Sequence, residues 1–147
     1  MGACAIFGHG DFLYERYRAK IEKGLDILIR EKHVTDFYVG ARGNFDLLCI
    51  EILRKLKKVN TNIKIIRVWS YIPQEEQKDE TNFFDGSVYL LEKRVPPLYA
   101  IVETNKCMVK KVDYIFSGVV HEWGGAWTAV EYAKKQGKSI IEVLLAY

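Results

Sequence analysis

Three glycine-bearing stretches hold the side chains best suited to chemistry. In HEWGGAWTAVE, from His121 to Glu131, two adjacent glycines meet the start of a helical pattern. Gly124 and Gly125 have no side chains to hold a ligand away from the backbone. The first N–H groups of the following helix lack intrahelical acceptors and carry partial positive charge. Glycine turn and helix start together suit a phosphate; a simple tight turn is the alternative. Thr128 can offer its hydroxyl to the same anion or cap the helix interior. Glu131 falls about two turns into that helix. As a catalytic group it can steady positive charge on a ribose as a glycosidic bond breaks, or it can hold ribose hydroxyls. As a surface residue it pairs with Lys134 or Lys135.

The second stretch, GARGNFD, sets Arg42 between Gly40 and Gly43. A guanidinium there suits bidentate phosphate binding, or is a solvated loop charge. Asp46 caps N–H groups or reaches a ribose. The third stretch, FGHG, places His9 between Gly8 and Gly10. His9 and His121 can act as acid or base near neutral pH, or hold their own loops through backbone hydrogen bonds. Trp123 and Trp127 flank the glycine pair; one of them can stack on a base, and burial against the sheet is the simpler reading of Trp127. No second histidine follows His121 at zinc-protease spacing, so HEWGG is not a metal motif. Cys4, Cys49 and Cys107 are scattered, form no C-x-x-C pair and read as small core residues. No cofactor is expected.

The elements that position these residues alternate. Strands are predicted over Ala3 to Phe7, Asp36 to Val39, Ile63 to Trp69, Asp113 to Ser117 and Ser139 to Leu144. Apolar residues at three- and four-residue steps predict helices between them: Tyr17, Ile21, Leu25, Leu28 and Ile29, with Asp11 as N-cap, then Phe45, Leu48, Cys49, Ile52, Leu53 and Leu56. Pro96-Pro97 opens a further helix over Leu98 to Lys111. Pro73 to Asn82 reads as a polar loop, and Val88 to Leu91 as a short extended piece within a segment suspected of covering the pocket, where Asp85 and Tyr89 are weak candidates. The pattern predicts an α/β, Rossmann-like three-layer fold with a mainly parallel five-stranded sheet in the order 3-2-1-4-5, as one domain over residues 1–147. Ligands of such sheets sit at the carboxyl ends of the strands, where the strand order reverses. None of the turns is a G-x-G-x-x-G fingerprint.

Composition narrows the function. Hydrophobic content of 49% and charged content of 28% are those of an ordinary globular chain. A net charge of +3, with no long basic block, argues against a dedicated nucleic-acid binder and leaves room for a small anion. No run approaches the ~20 apolar residues of a membrane span. The opening MGACAIFGHG lacks a basic region and a long apolar core, so no signal peptide is expected, and the cysteine pattern suits a reducing cytoplasm. Trp69, Tyr71, Phe83 and Phe84 suggest a surface for a homodimer.

The turns in this order resemble the SLOG superfamily of Rossmann-like nucleotide-binding proteins, especially its YpsA-like branch. The resemblance covers nearly the whole chain and rests on GHG, GARGNFD, VPP before the helix containing TNKCMV, VDYIFSGV, and HEWGGAWTAVEYAKKQGK. The superfamily includes the DNA-processing DprA proteins and the LOG enzymes, which release a base from a nucleoside 5′-monophosphate. Against the LOG signature P-G-G-x-G-T-x-x-E, Gly124, Gly125, Thr128 and Glu131 match. Trp123 replaces the proline and Trp127 the third glycine. The helix around Met108 carries Thr104, Asn105 and Lys106 and no arginine, and Gly10 stands where YpsA-like relatives carry arginine. The resemblance therefore implies binding of a nucleotide or nucleotide-derived ligand, with LOG-like hydrolysis as the alternative.

Overall fold

The computed structural model describes residues 2–72 and 84–144. Six strands form one parallel sheet: β1 (Gly2–Gly8), β2 (Val34–Val39), β3 (Lys64–Trp69), β4 (Gly86–Tyr89), β5 (Tyr114–Gly118) and β6 (Ser139–Glu142). Four helices connect them: α1 (Arg18–Arg30), α2 (Asn44–Lys57), α3 (Pro97–Lys111) and α4 (Gly125–Lys135). Side chains alternate across the sheet, so Cys4 and Ile6 face α1 and α2 while Ala5 and Phe7 face α3 and α4. Each face has its own apolar core. Ile21, Leu25, Leu28, Phe45, Ile52 and Leu53 fill the first; Met108, Val109, Ala129, Val130 and Ala133 fill the second. Burial on both faces explains the continuous apolar runs of β1 and β2.

The strand order is β4-β3-β2-β1-β5-β6. The five expected strands keep their expected relative order, and the correction is a sixth strand, β4, beside β3. Its four residues GSVY are exposed or half-exposed at the sheet edge, so no buried apolar run announces them. Pairing to β3 creates the strand, and Asp85 anchors it. The Asp85 carboxylate accepts the Ile65 N–H at 2.8 Å and the Lys57 ammonium, while the Asp85 N–H returns to the Ile65 carbonyl at 2.8 Å. Asp85 and Tyr89 therefore sit on or beside the edge strand rather than over a pocket. A second correction concerns Asp11: α1 begins at Arg18 after a 3-10 turn (Glu15–Tyr17), its N-cap is Tyr17, and Asp11 lies exposed in the turn after β1.

The polar loop expected at Pro73 to Asn82 lies outside the described residues, as does Phe83. Of the other aromatic residues that suggest a homodimer, Trp69 is buried and lies under the Arg67 guanidinium, Phe84 packs against the first core, and Tyr71 is exposed. No helix of the described residues is long and apolar enough to cross a membrane.

Candidate functional site

The chain order reverses at β1, which pairs with β2 on one side and β5 on the other. A cleft of about 170 Å³ opens there, at the carboxyl ends of the strands. Its walls come from all three glycine turns predicted from sequence and from α3. Gly8 ends β1 and Gly10 follows it, Gly40, Arg42 and Gly43 follow β2, and Gly125 and Ala126 begin α4.

The turns are tied to each other. The Asn44 N–H donates to the Gly10 carbonyl at 3.3 Å, and Asn44 Nδ2 donates to the Phe12 carbonyl at 3.0 Å. A Cβ at Gly43 would come within 2.4 Å of the Gly10 Cα, so the two turns meet this closely because position 43 is glycine. The buried Tyr14 hydroxyl donates to the Gly118 carbonyl at 2.6 Å and accepts the His9 N–H at 2.9 Å. One phenol thus fixes the β1 turn to the end of β5, and burial pushes its pKa up to about 12.

Hydrogen-bond donors converge on the cleft. Ala41 adopts a left-handed φ of 56°, rare for a residue with a Cβ. The Asp46 carboxylate supports that bend by accepting the Arg42 N–H at 3.3 Å. The Arg42 side chain then folds against Gly40, where a Cβ would come within 3.1 Å of the guanidinium. Arg42 Nη2 donates to Asn105 Oδ1 at 3.4 Å. Asn105 is only 6% exposed. With its oxygen turned to Arg42, its Nδ2 points toward Gly125. Gly124, with φ 94°, caps α4 without a side-chain hydrogen bond, and the first-turn N–H groups of the cleft-lining Gly125 and Ala126 have no acceptor within the helix.

The opposing group is Asp46, half-buried in the cleft wall. Burial raises its pKa to about 6, against the lowering influence of the Arg42 N–H and guanidinium. Burial lowers the pKa of Arg42, with the Asp46 charge opposing and the Arg67 charge reinforcing that shift. A guanidinium still stays protonated at neutral pH. The arrangement can bind an anion through several donors while offering one acceptor to a hydroxyl.

His9 and His121 do not project as free acid–base groups. Their rings stack at a centroid distance of 3.5 Å, and His121 stacks on Trp123 at 3.6 Å. His9 Nε2 accepts the His121 backbone N–H at 3.4 Å, and His121 Nδ1 donates to the Trp123 carbonyl at 3.1 Å. Burial and the neighbouring His121 lower the His9 pKa, with Asp11 opposing. His121 bonds within its own loop, as the alternative reading has it, whereas the His9 ring ties the β1 turn to the loop after β5.

Two predicted residues point elsewhere. Glu131 pairs with Lys134 at 3.1 Å on the flank of α4 and is not among the residues that line the cleft. The Thr128 hydroxyl donates to the Gly124 carbonyl at 3.0 Å, one turn back. Trp127 packs against the second core. Asn105 is the residue that the sequence reading missed. Its signal is a polar side chain in the apolar stripe Ile101, Asn105, Met108, all three of which line the cleft.

No protein-family model and no curated protein matches the sequence at a significant level. Solved structures do match in fold. DNA processing protein A (DprA) from Streptococcus pneumoniae superposes with a TM-score of 0.69 at 12% identity, over 99% of this chain and 52% of that one. A structural-genomics target designated TM1055 gives 0.63 at 12% identity, covering 95% of this chain and 72% of that one. The Moco carrier protein from Chlamydomonas reinhardtii gives 0.59 at 12% identity, covering 97% and 75%. The chain thus spans about half the length of the DprA structure. At such identity the likeness is one of fold.

Proposed function

From a chain whose fold is the Rossmann-like, SLOG-type fold of those structures, we propose a protein that binds a nucleotide or nucleotide-derived ligand at the β1 switch point. The observation that carries this reading is the convergence of donors on one cleft: the Arg42 guanidinium, the Asn105 amide and the opening N–H groups of α4. Fixed donors around a helix N-terminus favour phosphate, and the charged ones contribute most. Asp46 accepts a ribose hydroxyl on the opposite wall. Ligand pockets for whole small molecules run from ~300 Å³ upward, so the cleft of about 170 Å³ takes the phosphate and part of the sugar, and the rest of the ligand extends past the rim. The name of one structural neighbour, a carrier protein, fits a fold used for holding a small molecule.

Release of the base from a nucleoside 5′-monophosphate is the second reading. Glu131 lies off the cleft, whereas Asp46 lines it and titrates near pH 6, the range of a general acid or base. Chromatography for free base, on wild type, Glu131→Gln and Asp46→Asn, separates binding from hydrolysis.

Calorimetric titration with mononucleotides, ADP-ribose derivatives and cyclic dinucleotides tests the primary reading. At least one member of the panel should bind saturably. Arg42→Ala should weaken it by about ten- to hundredfold, the worth of a charge-assisted hydrogen bond. Folded protein that binds no member of the panel would sink the proposal.

A further inference from the structure

Donors and apolar side chains line the cleft, and three aromatic rings outside that lining adjoin it in sequence. Ile101 lines the cleft and is 44% exposed. Beside the helix start, the rings of His9, His121 and Trp123 form a column that runs from the interior to solvent. His9 is 5% exposed and sits between the two cleft-lining glycines of the β1 turn. His121 stacks on it, and Trp123 stacks on His121 and is 62% exposed. The column is fixed at both joints. The His121 backbone N–H donates to His9 Nε2, which places the His9 proton on Nδ1; His121 Nδ1–H donates to the Trp123 carbonyl. An indole so exposed on a surface is usually mobile, but this one is held by two rings beneath it and by a hydrogen bond at its own backbone.

The geometry points to Trp123 as the stacking platform for the ligand's base, which narrows the ligand class to nucleotides with an intact aromatic base over sugar phosphates. This rests on the phosphate reading above. Trp123 immediately precedes the N-cap Gly124, and the two and three residue steps to Gly125 and Ala126 span no more than about 7 and 11 Å. The ring therefore lies within one nucleotide's length of the N–H groups of Gly125 and Ala126. A ligand with its phosphate on those groups and its sugar in the cleft carries its third part outward, with this column in reach. A base there continues the stack as a fourth ring. Stacking requires only a π-face, so the platform selects for the presence of a base more than for its identity. His9 and His121 are positioning residues, which hold the plane of the indole without touching the ligand.

The test compares adenosine 5′-monophosphate with ribose 5-phosphate by calorimetry on wild type, Trp123→Ala, Trp123→Phe, His121→Ala and His121→Phe. The wild type should bind the nucleotide more tightly than the sugar phosphate. Trp123→Ala should weaken the nucleotide by about five- to hundredfold while leaving ribose 5-phosphate unchanged. Trp123→Phe should retain most of the difference. His121→Ala should lower nucleotide affinity alone, and His121→Phe, which keeps a ring in the column, should restore it. Equal affinity of the wild type for the two probes would overturn the inference while leaving the phosphate site standing. So would a Trp123→Ala variant that weakens both probes equally, or neither. Failure of the wild type to bind either probe would overturn this inference, and the full nucleotide panel would then decide whether the phosphate reading falls with it. Because Trp123 is largely exposed, its substitutions should leave the fold intact, which circular dichroism verifies.

Discussion

At the scale of single residues, the cleft is a place where stability and function pull apart. Asp46 binds its proton more tightly in the folded chain, near pH 6, than at its ordinary value of 3.8. Between those values the folded form holds more protons than the unfolded one, so this group's contribution to stability falls as pH rises through that window. Asp46→Asn should therefore raise the thermal midpoint at pH 8, where the folded carboxylate is charged, and change it little at pH 3, below both values. Each kcal/mol recovered corresponds to roughly 2–4 °C in a domain of this size. A midpoint that rises equally at both pH values would mean that packing rather than charge is responsible. His9 has the opposite sign: its lowered pKa costs stability as pH falls below its ordinary 6.5. Arg42 was legible in the sequence because glycines on both sides marked a turn at a strand end, and Asp46 because it falls in the first turn of the helix that follows. Asn105 was not, since it lies mid-helix, where an isolated polar residue reads as surface until the phase of the helix against the sheet is known. The same missing phase left the direction of Glu131 open, and the structure turns it to Lys134.

At the scale of elements, the site depends on how closely strand ends approach α2. The Phe45 ring lies across the ends of β1 and β5, where a Cβ at Gly8 or at Gly118 would overlap it. Phe45 is fully buried and also contacts Tyr14 and Phe116. The glycines at these two strand ends therefore serve packing. Gly118→Ala should destabilise the fold by about 1–3 kcal/mol through overpacking, and Phe45→Leu in the same chain should recover part of the loss. Chemical denaturation of the single and double variants measures this. Additive losses would show that the ring and the glycine do not share the space. The helices and the central strands were readable because their apolar periodicities are long. The start of α1 was not, because a 3-10 turn intervenes after Asp11 and supplies no side-chain cap. Nor was β4, a short exposed strand that owes its existence to pairing with β3 and to the bonds of Asp85.

At the scale of the whole molecule, topology gathers the site. Crossovers place α1 and α2 on one face of the sheet and α3 and α4 on the other, so the starts of α2 and α4 and one side of α3 meet above β1. Residues far apart in sequence, Gly8, Arg42, Asn105 and Gly125, line one cleft for that reason. The order of the central five strands was legible from alternation and handedness, and with it the edge at which the cleft opens. The most direct test of the central claim is amide chemical-shift mapping during titration with adenosine 5′-monophosphate. The account predicts the largest saturable shifts at the Gly125 and Ala126 backbone amides and the Asn105 side-chain amide, all suppressed in Arg42→Ala. Saturable shifts confined to the amino ends of the strands, around Asp36, Lys64 and Asp113, would contradict it.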